Sequence, residues 1–142
     1  MNAEKIFADT NLFLRYLTND VPAQADTVES LLRRAGQKQV ELITTSMVIA
    51  EIVWTLESFY NLSREDIQAK VFAILHTPGL QVTDSDLVSH AVTWYAAKNV
   101  DFIDAYNAAW MLRESVSKAY TFDQKHFRRF EGITAEIPIS QG

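Results

Sequence analysis

Ile6-Phe7-Ala8 runs straight into Asp9-Thr10-Asn11, and Leu12-Phe13-Leu14 resumes the apolar pattern at once. An apolar run too short for a helix, ended by an acid and two small polar residues, reads as a buried strand over Glu4 to Asp9. It delivers Asp9 at its carboxyl end, before a helix that Thr10 or Asn11 can cap. The ends of strands are where open α/β sheets place their chemistry.

The same grammar recurs along the chain. Leu12 to Thr18 is a short helix; Pro22 suits the first turn of another reaching about Ala35, with Ala25, Val28, Leu31 and Leu32 on its apolar face and Gly36 ending it. Gln39 to Thr44 reads as the second strand, Ser46 as the cap of a helix through Met47 to Tyr60, and Ser63 with Asp66 as an approximate capping box for a helix to about His76. Pro78-Gly79 turns into a third strand at Leu80 to Thr83, and Asp84-Ser85-Asp86 opens a helix to about Lys98. A further helix spans about Asp101 to Glu114, a strand from Lys118 to Phe122 delivers Asp123, and Ile133 to Ile137 makes a weaker last strand before a fraying tail. The order βααβααβααββ predicts an α/β fold with a mostly parallel sheet covered on both faces.

With 142 residues, 48% of them hydrophobic, the expectation is one domain over residues 1–142 with no linker or repeat. The absence of cysteine excludes disulfides and thiolate metal sites. No run approaches the roughly 18 apolar residues of a membrane span, and Met1 to Lys5 has no signal-peptide pattern, so a cytoplasmic protein is expected. The net charge of -5 argues against a passive nucleic-acid binder, whose affinity comes from many Lys and Arg contacts with phosphate. It leaves room for an enzyme whose acids surround a cation.

Four of the acids stand apart by context. Asp9 and Asp123 each end an apolar run. Glu51 lies between Met47-Val48-Ile49-Ala50 and Ile52-Val53-Trp54, a setting without a broad solvated stripe and one in which an acid needs a partner. Asp101 and Asp104, three apart, project from one face near the positive end of their helix; Asp101 reads equally well as an N-cap, whereas Asp104 lies past the capping position. Carboxylates gathered ~5 Å apart repel by about 3 kcal/mol per pair at an effective dielectric of about 20, so a pocket of them takes up protons or a hard cation. All-oxygen ligands without His or Cys select Mg²⁺ or Mn²⁺.

Taken together, Asp9-Thr10-Asn11, Glu51, Asp104-Ala105 with Ala108-Ala109, and Thr121-Phe122-Asp123 resemble the four acidic motifs of the PIN-domain ribonucleases, and most closely their VapC-type toxin branch. Each motif is weak alone; four in order over about 140 residues are specific. The resemblance implies a three-layer α/β/α fold with a four- to five-stranded, mostly parallel sheet. It also implies an Mg²⁺- or Mn²⁺-dependent endoribonuclease whose metal ligands and catalytic acids are Asp9, Glu51, Asp104 and Asp123. Asn11 and Thr121 would support the acids by hydrogen bonding, with Asp101 an added ligand or neighbour. Tyr106-Asn107 departs from the more apolar residues usual there.

His76, His90 and His126 lie in unrelated contexts and read as surface or packed residues, which leaves a metal-activated water, and products with 5′-phosphate and 3′-hydroxyl ends, as the expected chemistry. Arg15, Lys125, Arg128 and Arg129 are candidates for a basic rim that holds RNA. The resemblance further implies a homodimer and a cognate VapB-type antitoxin. The apolar stripes of 12–17 and 47–60 could receive that partner, although they read first as core. A haloacid-dehalogenase-type phosphatase would need an acid where Asn11 stands. A receiver-like phosphoacceptor module leaves Glu51 and Asp104 without a role, and a non-cleaving PIN-like scaffold leaves four intact acids unexplained.

Overall fold

The computed structural model describes residues 3–139; of the tail expected to fray after Ile137, residues 140–142 lie outside them. The backbone forms two compact units, one through Ser85 and one from Asp86 onward.

The first unit holds β1 (Glu4–Phe7), α1 (Thr10–Thr18), α2 (Pro22–Gly36), β2 (Val40–Thr44), α3 (Ser46–Ser58), α4 (Arg64–Leu75) and β3 (Leu80–Val82). Its strands form a parallel ladder in the order β1-β2-β3, with Ile6 opposite Leu42 and Leu42 opposite Leu80. Each crossover between its strands carries two helices. Helix α1 packs on α2 and α3, and α3 on α4. Leu42, Ile49, Ile52, Leu56, Ile67 and Val71 have no exposed surface. Burial of each such side chain contributes about 1.5–3 kcal/mol.

The second unit holds α5 (Ser85–Lys98), α6 (Phe102–Arg113), β4 (Lys118–Tyr120), a single turn of helix α7 (Gln124–Phe127) and β5 (Thr134–Glu136). β4 and β5 pair in parallel, Ala119 opposite Ala135. Val88, Val92, Tyr95, Ala105 and Ala108 are buried, and Trp94 packs on buried Phe130 with ring centroids 4.9 Å apart. The α/β class and the parallel strand pairing are as the sequence predicts, with the hydrogen-bonded ladders running as three strands and two.

Several local expectations are corrected. β1 is not a buried strand: it pairs with β2 alone in its ladder, stops at Phe7, and leaves Phe7 58% exposed. The N-cap of α1 is Asp9 itself, not Thr10 or Asn11, and Thr10 is buried in the first turn. Thr45, not Ser46, caps α3, its hydroxyl accepting the Val48 N–H at 3.3 Å. Ser63 caps α4 as expected, through the Asp66 N–H at 3.1 Å. Helix α7 has no counterpart in the expected order. Asn19 and Asn99, where α1 and α5 end, are left-handed, as asparagine tolerates. Among the described residues no helix is long and apolar enough to cross a membrane.

Candidate metal centre

Asp9 is reached through a hydrogen-bonded anchor one residue earlier. The Ala8 N–H donates to the Ile43 carbonyl at 2.9 Å, and the buried Thr44 hydroxyl donates to the Ala8 carbonyl at 2.8 Å. The chain is thus fixed on both sides of Ala8, and Asp9 emerges exposed at the N-cap of α1 with no capping bond of its own side chain. Asn11 is also exposed in that first turn.

Glu51 departs from expectation. Met47, Glu51, Trp54 and Ser58 are all exposed and fall at helical spacing, so α3 presents a solvated stripe that includes the acid. The stripe is not legible in the sequence because two of its four members are large and apolar. The opposite face, Val48, Ile49, Ile52, Val53 and Leu56, is core, as is Phe13-Leu14 in α1. Arg15 is committed locally, its Nε donating to Gln24 Oε1 at 2.8 Å and its guanidinium lying 3.4 Å from Asp20.

In the second unit the structure brings acids together. Asp101 is the N-cap residue of α6 yet its side chain makes no capping bond, and Asp104 sits in the first turn of that helix. Asp123 lies three residues beyond β4, at the N-cap of α7, where the Thr121 hydroxyl oxygen accepts its backbone N–H at 2.9 Å. His126 joins the two: its Nδ1 is 2.7 Å from Asp123 Oδ2 and 3.5 Å from Asp104 Oδ2. Burial pushes the Asp104 carboxyl above the usual carboxylate range, the Asp101 charge adds to this, and Asp123 does so too, while His126 opposes it.

His126 was missed at the level of sequence. Its three-residue offset from Asp123 becomes a contact only on a helical turn, and QKHF carries no apolar periodicity that announces one. The other histidines behave as expected: His76 stacks on Phe72 and His90 lies against Trp94. Lys125 and Arg128 are exposed, and Arg129 donates to the Asn99 carbonyl at 3.0 Å.

Among the described residues no group of three or more His, Asp or Glu forms a ready coordination site. The donor chemistry nonetheless fits a hard cation: Asp104 and Asp123 offer oxygen ligands, and the Asp104 carboxyl, raised first by burial and then by the Asp101 and Asp123 charges, is one whose ionised form a cation would favour.

Strands joined by paired helices, with carboxylates at the head of α6 and after β4, define an α/β protein with acids gathered in its second unit. The chain belongs to the PIN-domain family, whose profile matches residues 6–133 and so runs through both compact units. It is similar to a VapC ribonuclease of Aquifex aeolicus (strain VF5), 25% identical over 117 residues that cover 82% of this chain and 86% of the relative. The resemblance drawn from the four short motifs therefore holds.

Proposed function

We propose that this protein is the ribonuclease toxin of a toxin–antitoxin pair, a divalent-metal-dependent endoribonuclease that acts in the cytoplasm as a homodimer held in check by a VapB-type antitoxin. The observation that carries the reading is the carboxylate pair Asp104 and Asp123, linked through one histidine nitrogen in a chain of the PIN-domain family. The likeness to a VapC ribonuclease along most of both chains supports the substrate class.

Asp9, Glu51, Asp104 and Asp123 would hold Mg²⁺ or Mn²⁺, which when bound supplies an activated water and stabilises negative charge developing at phosphorus. The chain's own residues do the rest. Thr121 fixes the backbone that presents Asp123, the Thr44 bond to Ala8 fixes the backbone that presents Asp9, and Asp101 strengthens the local demand for positive charge. Lys125 and Arg128 are the exposed cations best placed in sequence to meet RNA phosphates after Asp123. Met47, Trp54 and Phe59 leave much apolar surface in water, which supports a partner-covered face on the first unit.

The test is cleavage of a defined RNA set by the purified protein with Mg²⁺ or Mn²⁺, beside Asp9→Asn. Cleavage lost in the variant, with 5′-phosphate and 3′-hydroxyl ends on the wild-type products, is expected. Equal activity in the variant, or 2′,3′-cyclic phosphate ends, would overturn the assignment.

A further inference from the structure

We infer that Tyr120 and Phe122 bind substrate and determine its class: their rings form a stacking surface for unpaired RNA bases beside Asp123, so the site takes single-stranded RNA in preference to a duplex. The inference rests on the reading of the substrate as RNA proposed above. It starts from two large rings left in water just before Asp123, Tyr120 67% exposed and Phe122 83% exposed.

The exposure follows the strand. Lys118, Tyr120 and Phe122 are exposed while Ala119 and Thr121 between them are half-buried, the period of two of an extended chain. Elsewhere in this unit aromatic residues cover one another: Trp94 lies on Phe130, and Phe127 meets Phe130 edge-on with centroids 6.5 Å apart. Among the described residues no ring contact involves Tyr120 or Phe122. The backbone that carries Phe122 is nonetheless held on both sides. The Thr121 N–H donates to the Glu136 carbonyl at 2.9 Å, and the Thr121 hydroxyl oxygen accepts the Asp123 N–H at 2.9 Å. A ring on a fixed backbone gives up little freedom when a base stacks on it, which is how preorganisation raises affinity.

The surroundings select the occupant. Lys125 and Arg128, both exposed, follow Phe122 by three and six residues, and Lys118 lies on the same strand as Tyr120, 3.5 Å from Glu136. Cations interleaved with aromatic rings are how proteins hold single strands, the cations meeting phosphates and the rings meeting bases of any sequence. A protein partner is disfavoured there, because lysine is depleted from protein interfaces. Bases inside a duplex are covered on both faces by their neighbours, so exposed rings reach only unpaired ones. Phe122 immediately precedes Asp123, and a base on its ring brings its own strand to that acid.

The test is binding of a uridine-rich single-stranded RNA that carries one fluorescent purine analogue, dimmed when it is stacked, and of the same strand paired with its complement. Every chain is full length and carries Asp9→Asn, so that the RNA stays intact. Phe122→Leu keeps the apolar bulk and removes the ring, whereas Phe122→Trp enlarges the ring. The Leu variant is expected to bind the single strand about 10-fold more weakly, within the range for one stacked base, and to lose the dimming. Phe122→Trp is expected to keep both, Tyr120→Leu to weaken single-strand binding, and duplex affinity to stay level throughout. Single-strand affinity unchanged in either Leu variant overturns the proposal, as does an equal loss in Phe122→Leu and Phe122→Trp, or dimming that is absent from the parent or survives Phe122→Leu. Unchanged RNA affinity with a smaller sedimenting mass in Phe122→Leu assigns the face to a protein partner and overturns it too. A parent chain that binds neither RNA overturns the substrate class and the proposal together. One that still cleaves overturns the role of Asp9 and leaves the stacking to be read from the dimming.

Discussion

Removing the charge of Asp104 should make the metal-free protein more stable and its metal binding weaker. Asp104 and Asp123 share a nitrogen at 3.5 Å and 2.7 Å, so their Oδ2 atoms stand no more than about 6 Å apart. Two full charges at that separation repel by about 3 kcal/mol at an effective dielectric of about 20. The Asp123 side chain is 60% exposed and His126 offsets part of the repulsion, so about 1 kcal/mol is the realistic gain for Asp104→Asn near neutral pH. For a chain of this size that is about 3 °C in Tm. The assay is thermal unfolding in chelator at low salt, repeated at high salt and at acid pH. An acid whose folded-state pKa is raised stabilises the fold below its unfolded pKa and loses that contribution as pH rises through the folded value. The advantage of the Asn variant must therefore vanish in acid, where both proteins carry a neutral side chain, and shrink in salt. A variant no more stable than wild type at neutral pH would refute the reasoning, because Asp104 would then be a satisfied structural carboxylate.

Two further substitutions probe the scaffold and the basic rim. Gly79 adopts φ +82°, and a Cβ there would overlap the Ala35 carbonyl, so Gly79→Ala should separate the end of α2 from the start of β3 and destabilise by about 3 kcal/mol, read as a lower urea midpoint with unchanged slope. Arg128→Ala should flatten the dependence of log K for RNA on log salt by about 0.7, the share of one single-strand phosphate contact. Arg129→Ala should change that slope less, because one of its N–H groups is already held by the Asn99 carbonyl; equal slopes for wild type and Arg128→Ala would remove Arg128 from the interface.

Helices were the most legible part of the chain, since Ala25 and Val28, read at the helical period as part of one apolar face, are among the residues α2 buries. Boundaries were less so, because cap choice is decided by one torsion: Thr45 and Ser46 are chemically equivalent, and only the extended backbone at Thr45 makes it the cap. The exposure of Phe7 was invisible for a different reason. An apolar run signals a strand, but which of its edges and faces is covered depends on neighbours distant in sequence. The same holds for the site. The order and spacing of Asp9, Glu51, Asp104 and Asp123 identified the family, yet a helix of four residues, too short to show periodicity, sets His126 against Asp104 and Asp123.

Asp20 shows what an aspartate looks like when the fold is organised to satisfy it, and so gives Asp104 its meaning. The Tyr60 hydroxyl donates to Asp20 at 2.7 Å, Thr18 donates at 3.0 Å and Arg15 lies at 3.4 Å; led by the Tyr60 bond, these hold its carboxyl below the usual range. Its contribution to stability is present above the unfolded pKa and is lost as pH falls through the folded one, the reverse of Asp104. Asp104 starts with an advantage that Asp20 lacks, a place in the first turn of a helix, where a negative charge gains typically 0.3–1 kcal/mol. Its pKa is raised all the same, first by burial and then by the charges of Asp101 and Asp123, against the opposing charge of His126. A chain under selection for stability alone would place a neutral residue there. Under the proposed function, a cation that arrives after folding would relieve the acid that the fold disfavours.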